Sequence, residues 1–162
     1  MSYPINALLY IYMLSLIPSF EGRYAIIVGS VIKLNPFLSL ITATLGIVTL
    51  SIILPYSLPL IDNIALKLMN SKFKILRSTA NLYVRYVNRI RGKSGKHIHK
   101  YGYLGLILFV AVPLPGTGVW TGSLAAYLFG MKKKETIISL FIGGLLSNII
   151  TFIPTYFGQA LC

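Results

Sequence analysis

Four stretches without a charged side chain set the terms for this fold: Met1–Phe20, Phe37–Ile61, Tyr101–Met131 and Thr136–Cys162. About 20 apolar residues cross a bilayer as helix, so each stretch is long enough to span. A chain of 162 residues that is 56% hydrophobic and only 11% charged, with mean hydropathy +0.76, cannot bury so much apolar surface as one water-soluble domain. Lipid is the solvent this composition implies, and an all-α integral membrane protein is the class it predicts. The first stretch has no basic flank before it and no small-residue cleavage site, so it reads as part of the fold rather than as a signal peptide.

A net charge of +12 would point to nucleic acid in a soluble protein. Beside four greasy stretches it reads as membrane topology, and no nucleic-acid partner is expected. Ten of the 15 basic residues lie between Lys67 and Lys100 with no acid among them, and Lys132, Lys133 and Lys134 form a second cluster. Basic loops stay on the cytoplasmic side, so both clusters belong there. The single cysteine, Cys162, excludes an internal disulfide.

Two of the stretches are interrupted alike. LLYIYMLSLIPSFEGRYAIIVG breaks at Pro18 to Gly22, and YLGLILFVAVPLPGTGVWTGSLAAYLFG breaks at Pro113 to Gly118. Proline removes a helical hydrogen bond and glycine permits reversal, so each break can be a turn at membrane depth. Shifting the chain on itself by 97 positions brings Pro18 onto Pro115, Ala25 onto Gly122, Gly29 onto Ala126, Ile41 onto Ile138 and Gly46 onto Gly143. This is a weak internal repeat. Two re-entrant helical hairpins, each followed by a transmembrane helix, place both basic clusters inside, whereas four simple spans separate them. The halves are then an inverted repeat, the pattern of many secondary transporters. The predicted organisation is one membrane domain: hairpin and span over 1–61, a basic amphipathic cytoplasmic connector over 62–100, and hairpin and span over 101–162. Within the connector, 62–91 keeps helical spacing of apolar residues, with Asp62 as its expected N-cap and Gly92 beyond its end. It is suited either to lie against anionic lipid or to pack on the bundle.

The chemistry-bearing residues sit at the breaks. Glu21 and Arg23 are ionisable groups at membrane depth, which cost several kcal/mol and usually face protein or a watery cavity. Two positions apart, they do not share a helix face, so each is expected to meet a different partner. A helix starting at Glu21 presents N–H groups that favour anions, and the guanidinium fork of Arg23 suits phosphate or carboxylate. Glu21 is the candidate to carry a coupling proton; the alternative is a structural ion pair. In the second break the backbone of Gly116, Thr117 and Gly118, with the Thr117 hydroxyl, offers donors without charge, beside Pro115. Trp120 stands where Arg23 does in the other half and either stacks on substrate or anchors the hairpin. Asn148, alone in the last span, reads as interhelical glue. The small residues Gly118, Gly122, Ala126 and Gly130, with Ala25 and Gly29, form stripes that let helices approach closely. No Ser–His–Asp set, cysteine cluster or carboxylate pair indicates an enzyme, and no metal or cofactor is expected; His97 and His99 have no third ligand in view.

On these residues the chain resembles the family of putative small multi-drug export proteins, which pairs an E-x-R-x-A-I element with a P-x-P-G-T-G-x-W-T-G element. Here they read Glu21-Gly-Arg23-Tyr-Ala25-Ile26 and Pro113-Leu-Pro115-Gly116-Thr117-Gly118-Val-Trp120-Thr121-Gly122. That family is similar in architecture to the DedA superfamily, whose members carry two re-entrant hairpins and include polyprenyl-phosphate recyclers and lipid scramblases. The resemblance implies export or lipid translocation. The second hairpin here has no arginine, which departs from the DedA pattern and from a phosphate clamp with arginines on both sides.

Three functions follow as expectations. The first is a transporter or lipid translocase of the plasma membrane for an anionic amphiphile such as a polyprenyl or other lipid phosphate, coupled to protons through Glu21. The second is multidrug-type export of cationic or neutral compounds. The third is a membrane scaffold recruiting a partner through 62–100. Membrane lipids are the expected partners throughout, and a bundle this small is compatible with a homodimer.

Overall fold

The computed structural model describes residues 5–18, 20–68, 73, 77–78, 81–82, 84–85, 102–114 and 116–161, and among these no strand occurs. Among the described residues the fold is carried by the helices α1 (Ile5–Leu16), α2 (Glu21–Val31), α3 (Pro36–Leu68), α4 (Gly102–Ala111), α5 (Val119–Leu128) and α6 (Lys133–Leu161). Two of them, α3 over 33 residues and α6 over Lys133–Gly158, are long and apolar enough to cross a membrane.

Local sequence explains the boundaries. α1 is built from Leu, Ile, Ala and Met and ends at Leu16, ahead of Pro18, which disfavours helix in the residue before it. α3 opens on Pro36, whose missing N–H is harmless at a first helical position. The Asn35 side-chain oxygen caps it, accepting from the N–H groups of Phe37 at 2.9 Å and Leu38 at 3.4 Å. Before α5, the Gly118 N–H donates to the Thr121 hydroxyl at 3.0 Å, one half of a capping box.

The two halves repeat in detail. α3 and α6 begin at residues 36 and 133, a spacing of 97. The turn after α2 is closed by Ile32 N–H to Val28, Lys33 N–H to Ser30 and Leu34 N–H to Gly29. The turn after α5 is closed by Phe129 to Ala125, Gly130 to Tyr127 and Met131 to Ala126, the same bonds shifted by 97. Both turns use a left-handed residue, Lys33 at φ 55 and Gly130 at φ 69.

α3 and α6 run antiparallel along one another. Phe37 packs on Phe152 with ring centroids 5.5 Å apart, Thr44 meets Asn148, Ile47 meets Gly144, and Tyr56 lies under Lys133. Each hairpin packs on this pair with its own apolar cluster. Ile11, Ala25, Ile26 and Ala43 are buried with the first, and Ile47, Leu106, Val110, Val119 and Leu140 with the second. Glycines set the close approaches: a Cβ on Gly46 would overlap the Ser15 hydroxyl, and one on Gly143 would lie 2.8 Å from the Ile107 carbonyl oxygen. The outer faces stay apolar, with Ile41 57% and Ile138 57% exposed, as a lipid-facing surface requires.

One expectation is corrected. Asp62 is not the N-cap of a separate connector helix, because α3 continues without a break from Pro36 to Leu68. Pro55 and Pro59 do not end it, and the Asp62 carboxylate accepts instead from the Tyr127 hydroxyl. Residues 77–78, 81–82 and 84–85 are helical; most of the expected connector, with His97 and His99, lies outside the described residues.

Candidate functional site

The two breaks meet. The segment between α1 and α2 and the 112–118 turn between α4 and α5 lie against each other, and every described residue of the expected site gathers at this contact. Pro115 lies outside the described residues.

Arg23, 7% exposed, is the centre of the contact. Its Nη1 donates to the main-chain carbonyls of Val112 at 3.3 Å and Leu114 at 2.9 Å. Its Nη2 donates to the Thr117 carbonyl and to Glu21 Oε2, the latter at 3.2 Å. The guanidinium of the first hairpin is thus wrapped by peptide oxygens of the second. Three carbonyl dipoles and one carboxylate offset the desolvation of its charge.

Glu21 is buried beside it and takes a second bond, from the Trp120 backbone N–H to Oε1 at 3.2 Å. Both expectations for the two groups are met: they form the ion pair kept as the alternative, and each also has a partner of its own. Residues two apart on a regular helix point away from one another, but Glu21 has φ 51, a left-handed conformation at the start of α2 that turns its side chain back. The cost of that conformation, of order 1–3 kcal/mol for a non-glycine residue, is borne where the carboxylate gains two charge-assisted bonds.

The second tip is shaped to receive the pair. The Thr117 hydroxyl lies 2.6 Å from the Val112 carbonyl and 2.9 Å from that of Leu114, so it holds the loop that presents both to Arg23. The Thr117 N–H donates to Leu114 O at 3.2 Å and the Gly118 N–H to Thr121, so these two donors close the turn. Gly118 is glycine for space: a Cβ there would overlap the Glu21 carboxylate. Trp120 anchors, as its indole N–H donates to the Leu16 carbonyl at 3.2 Å at the end of α1. Of the small-residue stripe only Gly118 reaches the tip contact; Gly122 faces Val110 and Leu140 inside its own half.

Behind the pair stands Asn148 of α6, 1% exposed. Its amide nitrogen donates to the Thr44 hydroxyl of α3 at 3.3 Å, tying the two long helices as expected. A Cβ on Gly22 would lie 2.5 Å from Asn148 Oδ1, so α2 can approach α6 only with glycine there. Asn148 Oδ1 itself has no hydrogen-bond partner. In front of the pair lies a recess of about 80 Å³ lined by Pro18, Glu21, Arg23, Gly116, Thr117, Gly118, Trp120 and Thr121. It has room for water or one small polar group. Among the described residues, no three His, Cys, Asp or Glu side chains converge as a metal site would require.

The family model described as putative small multi-drug export protein matches residues 21–150, which hold both tips and both long helices apart from the end of α6. No curated protein and no solved structure matches the chain. The chain belongs to the putative small multi-drug export family, and its apolar helices are those of a membrane protein.

Proposed function

We propose, with that membership as the premise, that the chain is a small membrane exporter in which two re-entrant hairpins, arranged as an inverted repeat, meet at mid-membrane. The hold of Arg23 on the second tip carries the proposal. Helix lengths support the re-entrant reading. α2 and α5 have 11 and 10 residues, so at about 1.5 Å per residue each reaches roughly half of a ~30 Å hydrocarbon core. The 97-residue spacing together with the antiparallel course of α3 and α6 supports the inverted relation. The tips pack level with Thr44 and Asn148, in the middle of the long apolar helices. In this arrangement Lys132–Lys134 and the 62–100 segment share the cytoplasmic face of the plasma membrane.

Transport requires the contact to open. In the closed form both terminal nitrogens of Arg23 are engaged, so a substrate binds the guanidinium only by replacing peptide oxygens or Glu21. Phosphate is the group best able to do so, because it offers several charged oxygens to a planar fork. An anionic amphiphile such as a lipid phosphate is therefore the proposed substrate class, as it is in the DedA-like architecture. A proton on Glu21 removes the competing carboxylate charge, which couples opening to pH. The protein moves its substrate without chemical change. A second reading, export of cationic or neutral drugs, is favoured by the family's description.

The test is flux of a fluorescent lipid phosphate in proteoliposomes with an imposed pH gradient. Glu21→Gln is expected to remove the pH dependence while gel-filtration behaviour is retained. Unchanged pH dependence overturns proton coupling, and gradient-driven efflux of a cationic dye with no lipid-phosphate flux favours the second reading.

A further inference from the structure

A cavity of about 230 Å³ lies apart from the tips, between α3, α5 and the start of α6, lined by Pro55, Pro59, Ser123, Tyr127, Gly130, Met131, Lys133 and Thr136. The matching positions of the other half are filled differently. The positions 97 residues before Ser123 and Met131 are Ile26 and Leu34, both buried apolar residues. At that end of the α3–α6 pair the space is filled by Phe37 against Phe152 and Tyr156, with ring centroids 5.5 and 5.8 Å apart. One end of the molecule is sealed by aromatic rings, and the other is open beside Lys132–Lys134.

Two polar groups of the cavity are unspent. Ser123, 1% exposed, is one of its lining residues, and its buried hydroxyl has no hydrogen-bond partner. A buried hydroxyl without a partner costs about 1–3 kcal/mol, a cost that a ligand accepting its proton removes. The Lys133 ammonium lies over the Tyr56 ring, 4.6 Å from its centroid. Such a contact positions the charge through the ring's face and leaves the N–H donors available to an anion. The remaining wall is the two proline rings, Gly130 and Met131, whose thioether adapts to variable shapes, with Thr136 and Tyr127, whose hydroxyl donates to the Asp62 carboxylate.

We infer that this cavity is a second binding site, for the anionic head group of an amphiphile, phosphate or carboxylate. Ser123 Oγ donates to it from the inner end and Lys133 Nζ from the mouth, and Pro55, Pro59 and Met131 cover the first carbons of its chain. The inference rests on the export reading only for the amphiphilic nature of the ligand. A site on this face alone would collect substrate from the lysine side before the tips open.

Binding is measured without transport, on the full chain in phosphatidylcholine nanodiscs, by calorimetric titration with dodecyl phosphate, dodecanoate and dodecyltrimethylammonium. Both anions are expected to bind and the cation to bind at least about tenfold more weakly, since a charge-assisted bond contributes about 1.5–3 kcal/mol. Lys133→Gln is expected to weaken anion binding about tenfold and Ser123→Ala about fivefold, by the same scale. Lys132→Gln, whose ammonium lies 3.8 Å from Glu135 and does not line the cavity, leaves anion binding within about twofold. Equal affinity in Lys133→Gln and Ser123→Ala overturns the site, as does cation binding as tight as anion binding. Loss in Arg23→Gln with Lys133→Gln unaffected overturns it too, by moving the anion to the tips. Lys133-dependent binding supports the cavity even if Glu21→Gln leaves the flux unchanged, so this inference and the export reading fail separately.

Discussion

Arg23 on α2 donates to the main-chain carbonyl of Leu114 over 2.9 Å, joining the two interruptions of the chain through one guanidinium. Around that bond Val112 and Thr117 supply two more carbonyls and Glu21 a carboxylate, all in a buried setting. The charge is compensated as a set, so removing one member leaves the others unbalanced.

Arg23→Met should therefore destabilise by about 3–5 kcal/mol, since it strands a buried carboxylate. Glu21→Gln combined with Arg23→Met removes both charges and should recover a large part of that loss. Thermal unfolding in detergent of the wild type, both single variants and the double variant gives the coupling energy. Additive effects would mean that the pair does not act as a unit.

Gly118→Ala places a Cβ where the Glu21 carboxylate lies. The carboxylate must move, and its bond from the Trp120 N–H goes with it. Flux is expected to fall at least about tenfold, equivalent to about 1.4 kcal/mol, at normal expression. Wild-type flux would mean that tip geometry does not control transport.

At the α2–α6 contact the obstacle to a larger residue is one side chain rather than backbone. Gly22→Ala brings its Cβ to 2.5 Å from Asn148 Oδ1 and should cost about 1–3 kcal/mol as overpacking. Asn148→Ala creates the space and also removes an acceptor without a partner, so the double variant should be more stable than Gly22→Ala alone. Failure of this rescue in a thermal-shift series would argue against the contact.

The paired turns at Lys33 and Gly130 differ in strain. Left-handed backbone costs a non-glycine residue roughly 1–2 kcal/mol, and Lys33 sits at φ 55. Lys33→Gly should be neutral or mildly stabilising, whereas Gly130→Ala, at φ 69 with open space around its Cβ, should cost about 1 kcal/mol from backbone alone. Opposite signs in unfolding midpoints check it.

Topology is open to labelling. In a Cys162→Ser background, Lys132→Cys and Ser78→Cys should both react with a membrane-impermeant maleimide added from the cytoplasmic side, and neither from outside. Reaction from opposite sides would replace the re-entrant arrangement by four full spans.

Much of this was legible in the chain. The breaks at 18–22 and 113–118, the 97-residue spacing and the gathering of Glu21, Arg23, Gly118 and Trp120 follow from proline, glycine and stray charge in apolar sequence. The Glu21–Arg23 bond was legible only as an alternative, because helical spacing assumes helical dihedrals, and Glu21 leaves them at the first residue of α2. Asp62 misled because a capping residue type ahead of an amphipathic pattern looks the same inside a continuous helix. It was the Tyr127 hydroxyl, 65 positions away, that gave the carboxylate its place. The Ser123 cavity had no sequence signal, since a serine beside a small-residue stripe is ordinary in a packed helix.

The oxygens that grip Arg23 from the second tip belong to the peptide backbone, and this determines what a mutational survey of the molecule can detect. Replacing Val112 or Leu114 by alanine removes no acceptor, so a side-chain scan would return near silence at these two and report the second tip through Thr117, whose hydroxyl holds the loop, and Gly118, where a Cβ meets the Glu21 carboxylate. The first tip would light up at Glu21 and Arg23. A survey of that kind would credit the first half with most of the function, and changes of backbone shape, such as proline or D-residue insertion at 112–118, are needed to reveal the carbonyls of the other half.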